Sequence, residues 1–242
     1  MTSPKRTVFI YAKPPVIGLS KTRLAKGIGA TEAQRIARWS FEITLRAAKD
    51  TRWKTVLATT PDAYLTASLG GLWPKSLERM SQGNGDLTER LELGLAAAAN
   101  GQVIFIGADC PDISNALLAK AFEQLKKNDV VFGPASDGGF WLFGMNKRAQ
   151  TGSPFKDVRW STKYALSDVR DNLFDRAKIA YLPELSDIDT ASDWQKWKDG
   201  EGAQPQSSEV VSKIAETVRD TASKAGKRSW WRALLGLRPK AA

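Results

Sequence analysis

Gln102–Pro111 reads QVIFIGADCP. Its first five residues, Gln102–Ile106, are the most strand-like run in the chain, a short apolar stretch rich in β-branched and aromatic side chains. Gly107-Ala108-Asp109-Cys110-Pro111 then stops it abruptly. A continuous apolar run suits a strand buried on both faces, as in a mostly parallel sheet covered by helices. An aspartate directly after such a strand faces the crevice at the sheet's carboxyl edge.

Working outward, Thr7–Ala12 (TVFIYA), Lys54–Thr60 (KTVLATT) and Asp129–Gly133 read as further buried strands. Gly138–Met145 (GGFWLFGM) reads as another, entered through a glycine turn, and Lys178–Leu182 as a last short one. Leu72–Met80 is ambiguous, with room for a short strand. Between them lie helical patterns. Thr31-Glu32-Ala33-Gln34 resembles a capping box opening a helix to about Lys49, after a loop over Lys13–Ala30. Asp86–Asn100, Asn115–Lys126 capped by Ser114, Lys163–Phe174 and Asp193–Lys198 complete the set. Alternating strands and helices predict an α/β fold: a single Rossmann-like, mixed but mostly parallel sheet with helices on both faces. The expected organisation is a domain over 1–199, a linker over 200–208 (Gly200–Ser208 is GEGAQPQSS) and a basic amphipathic helical extension over 209–242.

Composition limits the chemistry. The 242 residues contain no histidine, which excludes a Ser-His-Asp triad, a Cys-His pair and a His-ligated zinc. One cysteine, Cys110, excludes an internal disulfide and a multi-cysteine metal site. Catalysis must fall to carboxylates, Lys/Arg, hydroxyls or an oxygen-bound metal. The net charge is +10, and six of the excess cations lie between Lys224 and Lys240, where there is no acid. The modest positive balance elsewhere suits an anionic substrate such as a nucleotide. No apolar run is long enough to span a membrane, and the one after Arg6 is too short for a signal-peptide core, so the expected compartment is the cytoplasm.

Four segments are candidates for the site. In the loop after the first strand, Lys13, Lys21 and Arg23 accompany Gly18 and two prolines, a set suited to gripping a di- or triphosphate; a solvated basic loop would look the same. The spacing is not that of a Walker loop. Asp109 suits Mg²⁺ or Mn²⁺, which take oxygen ligands and share substrate phosphates; it would equally serve as a turn former. Asp137-Gly138-Gly139 permits close backbone approach to a ligand, or an ordinary hairpin turn. In Ser186-Asp187-Ile188-Asp189-Thr190, alternation puts Asp187 and Asp189 on one side, able to complete a metal site with Asp109; Asp189 or Thr190 could instead cap the next helix. Gln82, in a glycine-bracketed loop, could read a nucleobase edge. Asp86 opens a helix, where an acid complements the dipole. Trp160-Ser161-Thr162 would line an acceptor pocket or anchor and cap a helix. Cys110 reads as a small buried residue.

Taken in order, A-K-P-P-x-x-G-x-x-K-T-R-L (Ala12–Leu24), Q-x-x-G-D-L (Gln82–Leu87), I-G-A-D-C-P (Ile106–Pro111), G-P-A-x-D-G-G-F (Gly133–Phe140), W-S-T (Trp160–Thr162) and D-I-D-T (Asp187–Thr190) resemble one family. It is a largely uncharacterised bacterial family of glycosyltransferase-A fold within the nucleotide-diphospho-sugar transferase superfamily. Some of its members are labelled arsenosugar-biosynthesis glycosyltransferases. The chain is similar, more distantly, to molybdenum-cofactor and 2-phospho-lactate guanylyltransferases. The resemblance spans about Thr7–Lys198.

It implies that Lys13, Lys21 and Arg23 meet the nucleotide's phosphates; Gly18, Gln82, Asp86, Gly138 and Gly139 are the other residues expected to bind the donor. It implies Asp109 and Asp189, with Asp187, as acidic metal positions, and a loop at Asp137–Gly139 near the sugar or acceptor. Asp137 and Lys21 are the expected catalytic residues. The loop reads S-K-T-R where sugar-nucleotide pyrophosphorylases have G-x-G-T-R, and Arg159 stands where relatives often have proline.

The resulting expectation is a Mg²⁺- or Mn²⁺-dependent glycosyltransferase with a nucleotide-sugar donor and a small-molecule acceptor. The alternatives are a nucleotidyltransferase acting on a phosphorylated acceptor, and a non-catalytic nucleotide-binding module. Nucleic acid is not an expected partner, because no groove-reading motif accompanies the basic cluster. Ser229–Leu237 (SWWRALLGL), with basic flanks, suits an anionic membrane surface or a packed subunit contact.

Overall fold

The computed structural model describes residues 5–149 and 151–200. The expected extension over 209–242, including Ser229–Leu237, lies outside the described residues, as does the expected linker apart from Gly200.

The QVIFI run lies near the middle of a seven-stranded sheet. The strands are β1 (Lys5–Ala12), β2 (Lys54–Thr59), β3 (Glu78–Ser81), β4 (Gly101–Gly107), β5 (Val130–Pro134), β6 (Phe140–Lys147) and β7 (Ile179–Tyr181). Their order is β3-β2-β1-β4-β6-β5-β7. β1 pairs in parallel with both β2 and β4, while β6 runs antiparallel between β4 and β5. The sheet is therefore mixed and mostly parallel, as expected. The ambiguous segment 72–80 does hold a strand, confined to its end.

The helices are α1 (Thr22–Ile28), α2 (Ala30–Ala48), α3 (Leu87–Ala97), α4 (Asn115–Gln124), α5 (Ala165–Asp171) and α6 (Ala191–Lys198). Side-chain alternation sorts each strand's residues between two layers. Ile104 and Ile106 join Val8, Ile10 and Val131 on one face, under Phe41 of α2 and Leu118 and Phe122 of α4. Phe105 joins Phe9, Phe132 and Phe143 on the other, under Leu91 and Leu95 of α3 and Val169 of α5. Each fully buried side chain of this size contributes roughly 1.5–3 kcal/mol. The two-sided burial explains why these strands are apolar throughout rather than alternating.

Three local expectations are corrected. The second half of the Lys13–Ala30 loop is helical, as α1. The capping box at Thr31 does not form: the N-cap of α2 lies two residues earlier, at Gly29, whose φ of 88° turns the chain directly from α1 into α2. α5 is also shorter than its expected span, running only from Ala165 to Asp171; before it, the Lys163 backbone packs against Gly138 in the β5–β6 turn. By contrast, Ser114 accepts from the Leu117 N–H at the start of α4, and Asp86 and Glu89 form a full capping box on α3.

A third, smaller cluster joins α1, α2 and α6. Leu24, Ala33, Ile36 and Ile188 are buried there, edged by Trp39, Trp194 and Trp197. Trp194 and Trp197 stack with centroids 5.6 Å apart, and Trp39 meets both edge-on. α1 and α6 approach so closely that a Cβ on Gly27 would lie 2.6 Å from the Ala191 Cβ. This cluster carries the end of the described chain back to the loop after β1.

Candidate active site at the β1–β4 crevice

From β1 the chain builds β2 and β3 to one side and β4 to the other. The gap beyond the carboxyl ends of β1 and β4 is therefore the topological switch point, where open α/β sheets bind ligands. A cleft of about 400 Å³ lies there, lined among others by Lys13, Ser20, Lys21, Arg23, Gln82, Asp109 and Asp189. That volume is in the range of small-molecule sites.

Lys21 is the hub. It stands immediately before α1 with φ 52° and ψ 36°, a left-handed conformation that a lysine adopts only when its surroundings impose it. Its Nζ lies 2.8 Å from Asp109 Oδ1 and 2.9 Å from Asp189 Oδ1. The lysine side chain is 4% exposed, whereas the carboxylates of Asp109 and Asp189 are 52% and 41% exposed. Burial by itself would push the Lys21 pKa down; the two carboxylates outweigh it, and the ammonium is held more firmly than usual. Two anions around one cation leave the group one negative charge in excess.

Each carboxylate has its own support. Asp109 follows β4 by two residues, and its carbonyl accepts from the Ile188 N–H at 3.1 Å, which lays the 187–189 segment beside it. Ile188 is buried in the third cluster, so its neighbours turn the other way. Asp193 Oδ2 accepts from the N–H groups of Asp189 (3.2 Å) and Thr190 (2.7 Å), while Thr190 Oγ1 accepts from the Asp193 N–H. This capping box on α6 fixes Asp189 at the lip of the cleft. The sequence offered Asp189 or Thr190 as cap; Thr190 takes the role and leaves Asp189 free to meet Lys21.

Not every expected residue gathers here. Asp187 lies outside the cleft lining, and burial, followed by the charges of Asp189, Asp137 and Asp109, raises its pKa to about 6. Among the described residues no three His, Cys, Asp or Glu side chains form a group able to hold a metal; of the three expected aspartates, Asp109 and Asp189 meet at Lys21. Asp137 is exposed and its Oδ1 accepts from the Gly139 N–H at 2.8 Å, closing its own turn between β5 and β6. Gly138, at φ 87°, is packed against another part of the chain: a Cβ there would lie 2.5 Å from the Lys163 backbone. The glycines thus serve a hairpin, not the cleft, and none of Asp137, Gly138 and Gly139 lines it.

Gln82 does reach the cleft, but its amide is committed. It donates to the carbonyl of Ala58 at 2.8 Å and accepts from Arg90, so it ties strand ends together rather than presenting a free edge to a base. Asp86 caps α3 and lies outside the cleft lining, as does Gly18, whose φ of 85° turns the loop. Trp160 donates to Thr88 Oγ1 at 2.8 Å and packs on Phe140 and Phe155, which makes it an anchor. Cys110 is buried, and burial pushes its thiol well up, away from nucleophilic use.

Ser20 was not foreseen. Its Oγ is buried in the cleft wall and finds no hydrogen-bond partner among the described residues. A serine in a loop carries no sequence signal for this; its position directly before Lys21 was the one available hint.

Residues 44–162 match the family described as "Uncharacterized protein conserved in bacteria (DUF2064)". No curated protein matches the chain. Among solved structures it is similar to a protein of Desulfovibrio desulfuricans G20 provisionally named a nucleotide-diphospho-sugar transferase, with a TM-score of 0.71 and 24% identity over 84% of this chain and 89% of that one. It is also similar to Rv0371c of Mycobacterium tuberculosis H37Rv, with a TM-score of 0.52 and 13% identity over 82% of this chain and 100% of that one. A protein of Aquifex aeolicus VF5 gives 0.51 and 12%, over 74% and 88%. At these identities the likeness establishes architecture: the chain carries the nucleotide-diphospho-sugar transferase fold, and residues 44–162 match the DUF2064 family model.

Proposed function

We propose that the protein is a divalent-metal-dependent transferase that takes a glycosyl group from a nucleotide-activated donor. The observation that carries this reading is the meeting of Lys21, Asp109 and Asp189 at the switch point, in a cleft that also holds Lys13 and Arg23. Cations and carboxylates at one sheet edge suit a metal-chelated diphosphate, the carboxylates holding the metal and the cations offsetting the phosphate charge.

The donor set fits a divalent ion. Asp109 and Asp189 are oxygen ligands with half-exposed carboxylates, and Mg²⁺ or Mn²⁺ is commonly held by one or two carboxylates plus substrate phosphates. When bound, the metal would neutralise charge on the diphosphate. Lys13 and Arg23 add fixed positive charge to the same group, and the unpartnered Ser20 hydroxyl supplies a donor for a phosphate oxygen. In the transfer an acceptor hydroxyl oxygen bonds to the anomeric carbon, the bond from that carbon to the phosphate oxygen breaks, a nucleoside diphosphate leaves, and the hydroxyl's proton is released to solvent. Asp137, tied into its own turn, is not assigned the acceptor's proton.

A thermal-shift screen of nucleotides and nucleotide sugars, with and without Mn²⁺, tests the reading. The expected result is a stabilising ligand that requires metal and loses its effect in Asp109→Asn. The products then fix the reaction: free nucleoside diphosphate accords with glycosyl transfer, and pyrophosphate would replace that assignment with nucleotidyl transfer. A ligand bound equally well by Asp109→Asn without metal would refute the metal-dependent reading.

A further inference from the structure

We infer that Lys21 makes metal binding at Asp109 and Asp189 conditional on a phosphate-bearing ligand, its ammonium standing between the two carboxylates until phosphates draw it away. The inference rests on the functional reading above and adds to it an order of binding.

The geometry supplies the reason. One oxygen of each carboxylate already lies within 3 Å of the same nitrogen. A divalent ion bound by those oxygens would lie against an ammonium, and like charges at such separation repel strongly in a half-buried site. Ammonium and metal therefore compete for one pair of anions. The lysine is the better-placed resident in the free protein, because its side chain is almost wholly buried and its backbone is locked at the start of α1.

The lysine also has somewhere to go. Its charge is a compact point on a flexible four-carbon stem, so it can change partners without moving the helix. Lys13 and Arg23 line the same cleft, and a diphosphate drawn to them would present oxygens to Lys21 as well. Transferring the ammonium to phosphate leaves both aspartates unpaired beside a fresh set of phosphate oxygens, which is the environment a divalent ion prefers. By linkage the coupling is reciprocal: ligand strengthens metal binding by the same factor as metal strengthens ligand binding.

Manganese binding followed by electron paramagnetic resonance, and by water proton relaxation enhancement to separate protein-bound from nucleotide-bound ion, tests this directly. The proteins are the full chain and its Lys21→Gln and Lys21→Arg variants, each checked by circular dichroism. Expected are weak Mn²⁺ binding by the unmodified protein alone, about tenfold or more tightening on adding UDP or GDP, and a similar tightening in Lys21→Gln with no nucleotide. Lys21→Arg, which keeps the charge, should stay weak. If Lys21→Gln fails to fold, the unmodified protein still decides the matter, because equal Mn²⁺ affinity with and without both nucleotides overturns the inference. Lys21→Gln binding Mn²⁺ no more tightly than the unmodified protein also overturns it. If instead no form binds Mn²⁺ under any condition, the metal-dependent reading of the site falls, and this inference with it.

Discussion

The crevice beyond β1 and β4 and the turn between β5 and β6 each present an aspartate just past a buried strand, near glycine. Asp109 and Asp137 are hard to tell apart on the page, yet they behave oppositely. Asp137 spends its carboxylate on the N–H two residues along, and the turn closes on itself. Asp109 meets a lysine delivered from the far side of the crevice, and its second neighbour, Asp189, lies 168 positions from that lysine. A local partner makes a turn; a distant one makes a site. What separates them is whether something else in the fold already claims the carboxylate.

The largest effect expected from that contrast is on activity. Asp109→Asn should lower turnover of the identified donor by about a hundredfold or more, the scale of removing one electrostatic contact to a developing charge. Asp137→Asn, which keeps the oxygen that closes the turn, should change it by less than about threefold. Steady-state kinetics on both variants check this; equal losses would erase the distinction between the two regions.

Stability should show the reverse ranking. Gly138→Ala forces a side chain into a left-handed position and against the Lys163 backbone, and should cost about 2–4 kcal/mol. Gly107→Ala, at the end of β4, meets no atom within 4 Å and should stay within about 0.5 kcal/mol. Urea melts of the two variants sharpen the comparison.

Much of this was legible beforehand, for identifiable reasons. The strands could be read because both sheet faces are covered, which makes each an unbroken apolar run. Lys21 and Asp189 stand out in the sequence by residue type and by the resemblance of their motifs, and the fold brings the two together. The role of Gln82 was not, because its amide is consumed by carbonyls of strands that only the fold brings near. α1 escaped notice because a seven-residue helix with a left-handed lysine before it has neither a side-chain cap nor length to show periodicity. The matched segment 44–162 contains Asp109 but neither Lys21 nor Asp189, so the site is assembled across its boundaries.

A smaller effect concerns the support of Asp189. Thr190→Ala removes half the capping box of α6 and should cost about 1 kcal/mol in a urea melt. It should also weaken Mn²⁺ binding a few-fold in the presence of nucleotide. No loss of metal affinity would mean that Asp189 keeps its place without the cap.

The smallest involves Asp112, whose pKa burial raises despite a hydrogen bond from Trp197 Nε1 at 3.2 Å. The folded chain holds this proton more tightly than the unfolded one, so ionising Asp112 costs stability as pH rises through its folded pKa. Asp112→Asn should therefore match the unmodified protein in acid and melt slightly higher near neutrality. A difference that shrinks with rising pH would reverse the sign and count against burial as the cause.

The indoles of Trp39 on α2 and of Trp194 and Trp197 on α6, packed centroid to centroid at 5.0–6.1 Å, form a chromophore trio beside the segment that carries Asp189. Their transition dipoles should couple into an exciton band in the ultraviolet. That gives the crevice a built-in optical gauge, through which reseating of α6 during ligand capture would be visible without any added label.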